Sequence, residues 1–483
     1  MNSESLDLRS LLDPQSVAII GASSDLSKLS GRPLKYLLRH GFQGNLYPVN
    51  PGADSIAGIK CWPSVKDLPE APDLALILLP ASAVLKTLNQ CGEKRIRAVI
   101  IASSGFAETG PEGKQIQDQI AEVSRQNGLT VLGPNSIGLV NLRQPVAATF
   151  SAVLELEKLI VGDIAFITQS GALGGSLFSI AQERGIGFSH WVHTGNEACL
   201  DSLDVMAHLI KEVHVKTIIS YIESLPDEEK LSRVAQLALG RGKPLVIMKV
   251  GRSATGQKAA VYHTGLSTGD PFLYDRLFEE NGIIQAEDTD DLFDISLTFS
   301  KVDKLPAGPR VGLVTTSGGA GVFVSDKCLE MGLEVPELTG ETRKELQKVI
   351  PAYGSAMNPI DITAQGAFLS FSKPNYMSDL LDIVLKESNI DLLMLVMTMV
   401  VGKEAEIVAE QIVEVSKRSE KPLLVCWIAG GLARDAYQIL RSNGVPLFEN
   451  LTRCLKAIQA LVRWEKAHRK AKGLAGKEKE PWP

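Results

Sequence analysis

His263 has the setting that best suits nucleophilic chemistry in this chain of 483 residues. It lies in a stretch bounded by glycine, serine and threonine, from Arg252 to Gly269, directly after an apolar run, Leu245 to Lys249, that reads as a strand. Neutral imidazole has one nucleophilic nitrogen near pH 7 while the other can be fixed by a hydrogen bond, which makes it a good phosphoryl acceptor. Such a glycine-, serine- and threonine-bounded stretch suits a mobile loop. Of the other histidines, His40, His208 and His214 sit in helix-like or helix-terminal settings that suit a surface role, while His190 and His193, just ahead of Gly195-Asn196-Glu197, remain alternatives. Two Ser-Gly turns could hold the anion that such a histidine would handle: Ser170, Gly171 and Ala172, and again Ser317, Gly318 and Gly319. The first N–H groups of a helix lack partners within it and lie at the positive end of its dipole, so they can hold a small dianion without Lys or Arg. If the segments bearing the two turns face each other, both helix ends can address one phosphoryl group.

The elements that must carry these turns repeat. Ile164-Ala-Phe-Ile-Thr-Gln-Ser-Gly-Ala-Leu-Gly174 aligns without gaps on Val311-Gly-Leu-Val-Thr-Thr-Ser-Gly-Gly-Ala-Gly321, and Lys243-Pro-Leu-Val matches Lys421-Pro-Leu-Leu ahead of a later strand. The second and third parts of the chain are therefore expected to be copies of one α/β unit. Ahead of them, Val17 to Ile20, Gly44 to Val49, Leu74 to Leu79, Ala98 to Ile101 and Thr130 to Leu132 alternate with helical stretches, the rhythm of a doubly wound parallel sheet. The length suits about three domains. The boundaries expected are 1–145, 146–300 and 301–465, with Lys301 to Pro309 as a linker and a Lys-rich, Gly- and Pro-containing tail, 466–483, read as disordered.

Composition removes several classes of function. A net charge of -6 with scattered Lys and Arg leaves no footprint for nucleic acid. The six cysteines form no C-x-x-C pair, which suits buried thiols in a reducing compartment, and no metal site is expected in the chain. No apolar stretch approaches a membrane span and Met1 to Arg9 contains no signal-peptide core, so no membrane association and a cytoplasmic location are expected.

In the first domain, Val17-Ala-Ile-Ile-Gly-Ala-Ser-Ser runs from a strand into a loop of small residues where backbone N–H groups can approach a phosphate. An NAD-binding fold would place an acid after the second strand, but this chain has Tyr47-Pro-Val-Asn-Pro51, which disfavours a dehydrogenase. Polar loops follow two further strands, Ser103-Ser-Gly-Phe and Gly133-Pro-Asn-Ser-Ile-Gly138. Together these four loops resemble the CoA-binding domain of the ADP-forming acetate–CoA ligases and their succinyl-CoA synthetase relatives. The resemblance runs from about Leu8 to about Leu461. It implies a Rossmann-like CoA-binding domain followed by two flavodoxin-like doubly wound parallel-sheet domains.

The resemblance also assigns roles. The residues implied to hold coenzyme A are Gly21, Ala22, Ser23, Ser24, Val49, Asn50, Pro51, Pro80, Ser103, Ser104, Gly105, Asn135 and Ser136. Tyr262-His-Thr-Gly matches the family's Ser-His-Thr-Gly phosphohistidine segment at three positions, with Tyr262 the departure, and puts the usual acyl substrate in question. Glu223, in Tyr221-Ile-Glu223, matches a glutamate that hydrogen-bonds the phosphohistidine ring; such a carboxylate would set the tautomer and stabilise imidazolium charge. Asn358-Pro-Ile-Asp361 resembles a family signature, read as structural at the interface of the flavodoxin-like domains. The implied reaction joins a small carboxylic acid to CoA through acyl phosphate and phosphohistidine, with ATP converted to ADP and phosphate. No stretch remains for an ATP-grasp module, so ATP, ADP and Mg would belong to a separate beta subunit, and a hetero-oligomer or a homodimer is expected. The other classes left open are an inactive CoA-binding sensor or scaffold and a subunit of a CoA-dependent lyase or acyltransferase.

Overall fold

The computed structural model describes residues 7–225, 227–264 and 269–475, with the side chains of 261–264, 367, 368, 370, 371, 474 and 475 outside that description. The first sheet is wholly parallel, in the order Asn45–Val49, Ser16–Ile20, Leu74–Ile77, Ala98–Ile101, Thr130–Leu132. Its central strands are continuous runs of Val, Ile, Leu and Ala because helices cover both faces, and Val17–Ile20, Leu74–Ile77 and Ala98–Ile101 are buried throughout. The chain leaves Ser16–Ile20 to one side and returns on the other, so the loop at Gly21 sits at the point where the winding reverses. Ligands bind doubly wound sheets at such points.

The second sheet has five parallel strands, in the order Ile284–Gln285, Leu245–Lys249, Thr217–Ile222, Val161–Thr168, Phe188–His193. An antiparallel hairpin, Gly138–Asn141 and Val146–Thr149, extends it beyond Phe188–His193. The expected boundary at 145/146 therefore falls inside this hairpin. Two four-residue apolar strands carry no sign of which sheet they will join. The third sheet is parallel in the order Ile360–Asp361, Val311–Thr315, Leu392–Thr398, Leu423–Ile428, Leu447–Phe448. Counted along the chain, its strands and the parallel strands of the second sheet share the flavodoxin-like order 2-1-3-4-5. The duplication seen in the sequence thus extends to topology.

The chain divides into two compact units between Thr289 and Asp290, the first carrying the first two sheets and the second the third. Within the first unit, Glu155 accepts from Lys35, Arg39 and Tyr36 at 2.5, 2.8 and 3.0 Å, fastening the helix Arg32–Arg39 of the first sheet to the turn Ala152–Glu155. The helix Thr289–Lys301, expected to close the second domain, makes its ion pairs in the second unit: Asp291 with Lys456 at 2.8 Å, and Asp294 with Arg453. The tail expectation also changes. A single helix runs from Leu451 to Ala475, because Trp464 is buried against Phe299 and stacks on His468 at 4.6 Å, and Arg469 bonds Glu465 and the Ala307 carbonyl. Apolar anchoring overrides the polar composition of this segment. Residues 476–483 lie outside the described residues.

Candidate functional site

The strand Val161–Thr168 ends in a turn built from its own side chains. The Thr168 hydroxyl accepts the Ser170 N–H at 3.1 Å and donates to the Ser170 carbonyl at 2.9 Å, and that carbonyl then takes the Gly174 N–H at 3.0 Å to start the helix Gly171–Glu183. Ser170 makes no side-chain cap, which leaves the first N–H groups of the helix for a ligand. Gly174 is required by packing: a Cβ there would lie 2.5 Å from the Thr168 methyl.

Neighbouring strand ends are tied to this turn. His193 accepts the Ile137 N–H at Nδ1 (2.8 Å), so its ring proton resides on Nε2 and goes to the Gln169 carbonyl at 3.0 Å. With both ring nitrogens engaged, His193 is a structural bridge and drops out as a phosphoryl acceptor. His190 is buried beside the Ser189 hydroxyl, and burial, with His214 nearby, pushes its pKa down to about 3, so it is neutral. Glu223 follows the strand Thr217–Ile222 and is 6% exposed; its N–H donates to Gln169 Oε1 at 2.7 Å and its carbonyl accepts Lys249 Nζ at 2.8 Å. Burial, then the Glu223 charge, pushes the Tyr221 phenol up to about 12, and burial followed by Arg252 pushes the Lys249 ammonium down to about 8.

His263 lies in the last turn of a helix, Ala254–Thr264, where the sequence suggested a loop. Ser253 accounts for the difference: its hydroxyl accepts the Gly256 N–H at 3.0 Å and its carbonyl the Gln257 N–H at 2.8 Å, starting a helix that Gln257, Lys258, Ala259 and Ala260 favour. The imidazole itself lies outside the described residues. This helix runs beside the turn Ala107–Thr109 of the first domain.

In the first domain the expected residues gather along one sheet edge. Gly21 has φ 87° and donates to the Val49 carbonyl at 2.9 Å, and a Cβ there would come within 2.9 Å of the Leu78 carbonyl. The Asn50 amide donates to the Ala22 carbonyl at 2.8 Å and accepts from Gly52, which explains an amide where a dehydrogenase needs an acid. Ser23 accepts the Asp25 N–H at 3.1 Å, shaping the loop that also holds Ser24, and Pro51 follows Asn50. Pro80 caps the helix Ala81–Glu93, and Ser103 donates to the Leu79 carbonyl. Ser104 and Gly105 follow, with the Gly105 N–H on Glu108 at 2.6 Å; Asn135 has φ 58° and bonds Asn196 at 3.3 Å. Ser136 departs from expectation. It is fully buried, its hydroxyl donating to the His193 carbonyl at 2.6 Å and accepting from Gly138, so it joins the first domain to the second and does not face a ligand.

In the second unit the Ser317 turn repeats the Ser170 turn bond for bond: Thr315 Oγ1 accepts the Ser317 N–H (3.0 Å) and donates to its carbonyl (3.0 Å), which takes the Gly321 N–H (3.1 Å). Ser317 differs in capping its own helix, at 3.4 Å from the Ala320 N–H. A Cβ on Gly318 would lie 3.0 Å from the Asp361 carboxylate, whereas Gly319 is open. Asn358 holds its own domain together, bonding Val311, Leu313 and Pro336.

Four residues went unrecognised in the sequence: Gln169, Lys249, Asn196 and Glu197. Asn196 donates to Glu108 at 2.5 Å and to Gln117 at 3.0 Å, tying the Ser103–Gly105 loop to the second domain. Glu197 accepts from the Thr194 hydroxyl (2.8 Å) and the Ser202 N–H (3.0 Å) and also bonds Gln169; burial, then Asp201, pushes it up to about 7. The one available signal was Gln169, a mismatch with Thr316 inside the repeated motif. Among the described residues no group of three or more His, Cys, Asp or Glu could hold a metal, and no helix is long and apolar enough to cross a membrane.

Comparison with known proteins finds three family domains in succession along the chain. Residues 15–142 match the CoA binding domain family, residues 161–299 the succinyl-CoA ligase like flavodoxin domain and residues 311–472 the ligase-CoA domain. The chain is 35% identical over 94% of its length to acetate–CoA ligase [ADP-forming] I of Archaeoglobus fulgidus, spanning 63% of that protein. It is 33% identical over 94% of its length to the acetate–CoA ligase [ADP-forming] II subunit alpha of Pyrococcus furiosus, covering 97% of that subunit. Among solved structures, a dinucleotide-forming acetyl-coenzyme A synthetase 1 of Ca. Korarchaeum cryptofilum, in complex with phosphate and ADP, superposes with a TM-score of 0.88 at 30% identity, over 97% of this chain and 99% of that one.

Proposed function

Because this chain belongs to the family of ADP-forming acetate–CoA ligases, we propose that it is the CoA-binding, phosphohistidine-forming subunit of a nucleoside-diphosphate-forming acyl-CoA synthetase. One observation carries the reading: the CoA-type loops, the uncapped Ser170 turn and Glu223 lie in a single unit, joined through Ser136–His193 and Asn196–Glu108. The first sheet edge holds coenzyme A along the loop Gly21 to Ser24, where the Gly21 and Ser23 N–H groups are taken by the Val49 and Ser30 carbonyls and fix the loop's shape, with Val49 to Pro51, Pro80 and the Ser103 and Asn135 loops around it. The N–H groups of Gly171 and Ala172 hold inorganic phosphate, and the Ser317, Gly318 and Gly319 turn does the same in its own unit.

Held there, phosphate attacks the thioester carbonyl; the C–S bond breaks, coenzyme A leaves as thiolate and acyl phosphate forms. His263 then attacks phosphorus through one ring nitrogen, the bond from phosphorus to the acyl oxygen breaks, and the carboxylate departs. Glu223 takes the N–H of the other ring nitrogen and offsets the positive charge that develops on the imidazole. The phosphoryl group passes from His263 to ADP, breaking the P–N bond and restoring neutral imidazole. Preorganised N–H donors act strongly on such charge, each removal typically costing roughly 3 kcal/mol of barrier. The ADP and Mg site belongs to an ATP-grasp partner, a reading supported by relatives that are themselves alpha subunits. Mass spectrometry after incubation with acetyl phosphate tests the proposal on wild type and His263→Asn. An acid-labile phosphoryl adduct is expected in wild type alone; its absence with several acyl donors, alongside measurable CoA binding, overturns the reading.

A further inference from the structure

The two copies of the repeat provide an internal control for the residue before each Ser-Gly turn. In the first, the Gln169 N–H donates to the Tyr221 carbonyl at 3.1 Å; in the second, the Thr316 N–H donates to the Val396 carbonyl at 3.1 Å. That shared bond sets the register, so Glu223, two residues beyond Tyr221, corresponds to Thr398, two beyond Val396. The side chains then repeat one contact: Gln169 Oε1 accepts the Glu223 N–H at 2.7 Å, and Thr316 Oγ1 accepts the Thr398 N–H at 2.9 Å. A threonine therefore satisfies this strand end in the copy that has no histidine between His263 and His468.

Gln169 does more than the fold requires at this position. Its Oε1 also accepts the Ser224 N–H at 2.9 Å and its Nε2 donates to the Ser224 carbonyl at 2.8 Å, so the amide grips the residues on both sides of the Glu223 carbonyl. Its own carbonyl takes the ring proton of His193 at 3.0 Å, and the next two residues are Ser170 and Gly171. Resting on the function proposed above, we propose that Gln169 is the positioning residue for Glu223, holding that carboxylate in a fixed relation to the phosphate turn so that it meets the imidazole of His263. In this role Gln169 contacts neither phosphate nor His263. It acts through Glu223.

Gln169→Thr tests this, because Thr316 shows that threonine is compatible with the turn. The readout is the single-turnover rate of His263 phosphorylation by acetyl phosphate, measured in wild-type and Glu223→Gln backgrounds alongside CoA affinity. A misplaced catalytic carboxylate typically costs up to about a hundredfold. A fall of about tenfold to a hundredfold is expected in the wild-type background, less than about threefold with Glu223→Gln, and CoA affinity should hold within about twofold. An unchanged rate, or an equal fall in both backgrounds, overturns the assignment, the latter marking Gln169 as generally structural. If Gln169→Thr loses CoA binding, Gln169→Asn takes its place in the same cycle, since it keeps an amide but shortens its reach. A wild-type protein that forms no adduct sinks the proposed function and this inference with it, and is read before any variant.

Discussion

Replacing Glu197 with glutamine should make the first unit more stable at alkaline pH and change it little in mild acid. Burial holds the carboxyl up to about 7 against an ordinary 4.5, and the bonds from Thr194, Gln169 and Ser202 offset only part of that penalty. The ionised form is therefore disfavoured in the folded chain. Below about pH 4.5 both states are protonated and nothing is lost; between 4.5 and 7 the unfolded chain ionises first and stability falls; above 7 the loss is complete. A shift of about 2.5 units at 1.36 kcal/mol each gives about 3 kcal/mol at pH 8.5 and under about 1 kcal/mol at pH 5. Glutamine stays neutral, and its carbonyl can still accept from the Thr194 hydroxyl and the Ser202 N–H. With a urea dependence of about 3 kcal/mol per molar, the Glu197→Gln midpoint should exceed wild type by about 1 M at pH 8.5 and by under about 0.3 M at pH 5. Trp191, buried in the second sheet, provides the fluorescence signal. An equal difference at both pH values would refute the reasoning.

Two more outcomes follow from packing. Gly174→Ala drives a methyl to 2.5 Å from the Thr168 side chain at the base of the phosphate turn, so a loss of about 1–3 kcal/mol is expected in thermal unfolding, whereas Gly240→Ala, with open space around it in a helix, should gain up to about 1 kcal/mol. A chain ended after Arg463 loses buried Trp464 and its contacts with Phe299 and should be destabilised by at least about 3 kcal/mol against one ended after Ala475; equal melting of the two would contradict the anchored helix.

Much of this was legible in the residues. The apolar runs gave the parallel strands, the repeated Thr-x-Ser-Gly motif gave two turns with matching bonds, and Asn50 ruled out the dinucleotide acid before its amide was seen on Ala22. What escaped reading depended on neighbours far along the chain. Gln169 reaches residues 54 and 55 positions away, and only the strand register brings them together. His193 looked like a nucleophile because its imidazole chemistry is visible in sequence and the two backbone groups that occupy it are not. The helix at Ala254–Thr264 was hidden by glycine and threonine at its ends, which suggested a loop while Ser253 supplied the cap. The final helix was masked by a Lys-rich composition that Trp464 outweighs.

The hairpin Gly138–Asn141 and Val146–Thr149 has a consequence for protein engineering and for recombination of such genes. It follows the last strand of the first sheet by a few residues yet hydrogen-bonds to Phe188–His193 of the second. A chimaera spliced at 145/146, where a three-domain reading would cut, takes one hairpin strand from each parent and brings a foreign edge to His193. A splice between Leu132 and Gly133 moves the hairpin, Ser136 and Ile137 together with the histidine they contact. The productive unit of exchange is therefore set by the sheet that the hairpin completes.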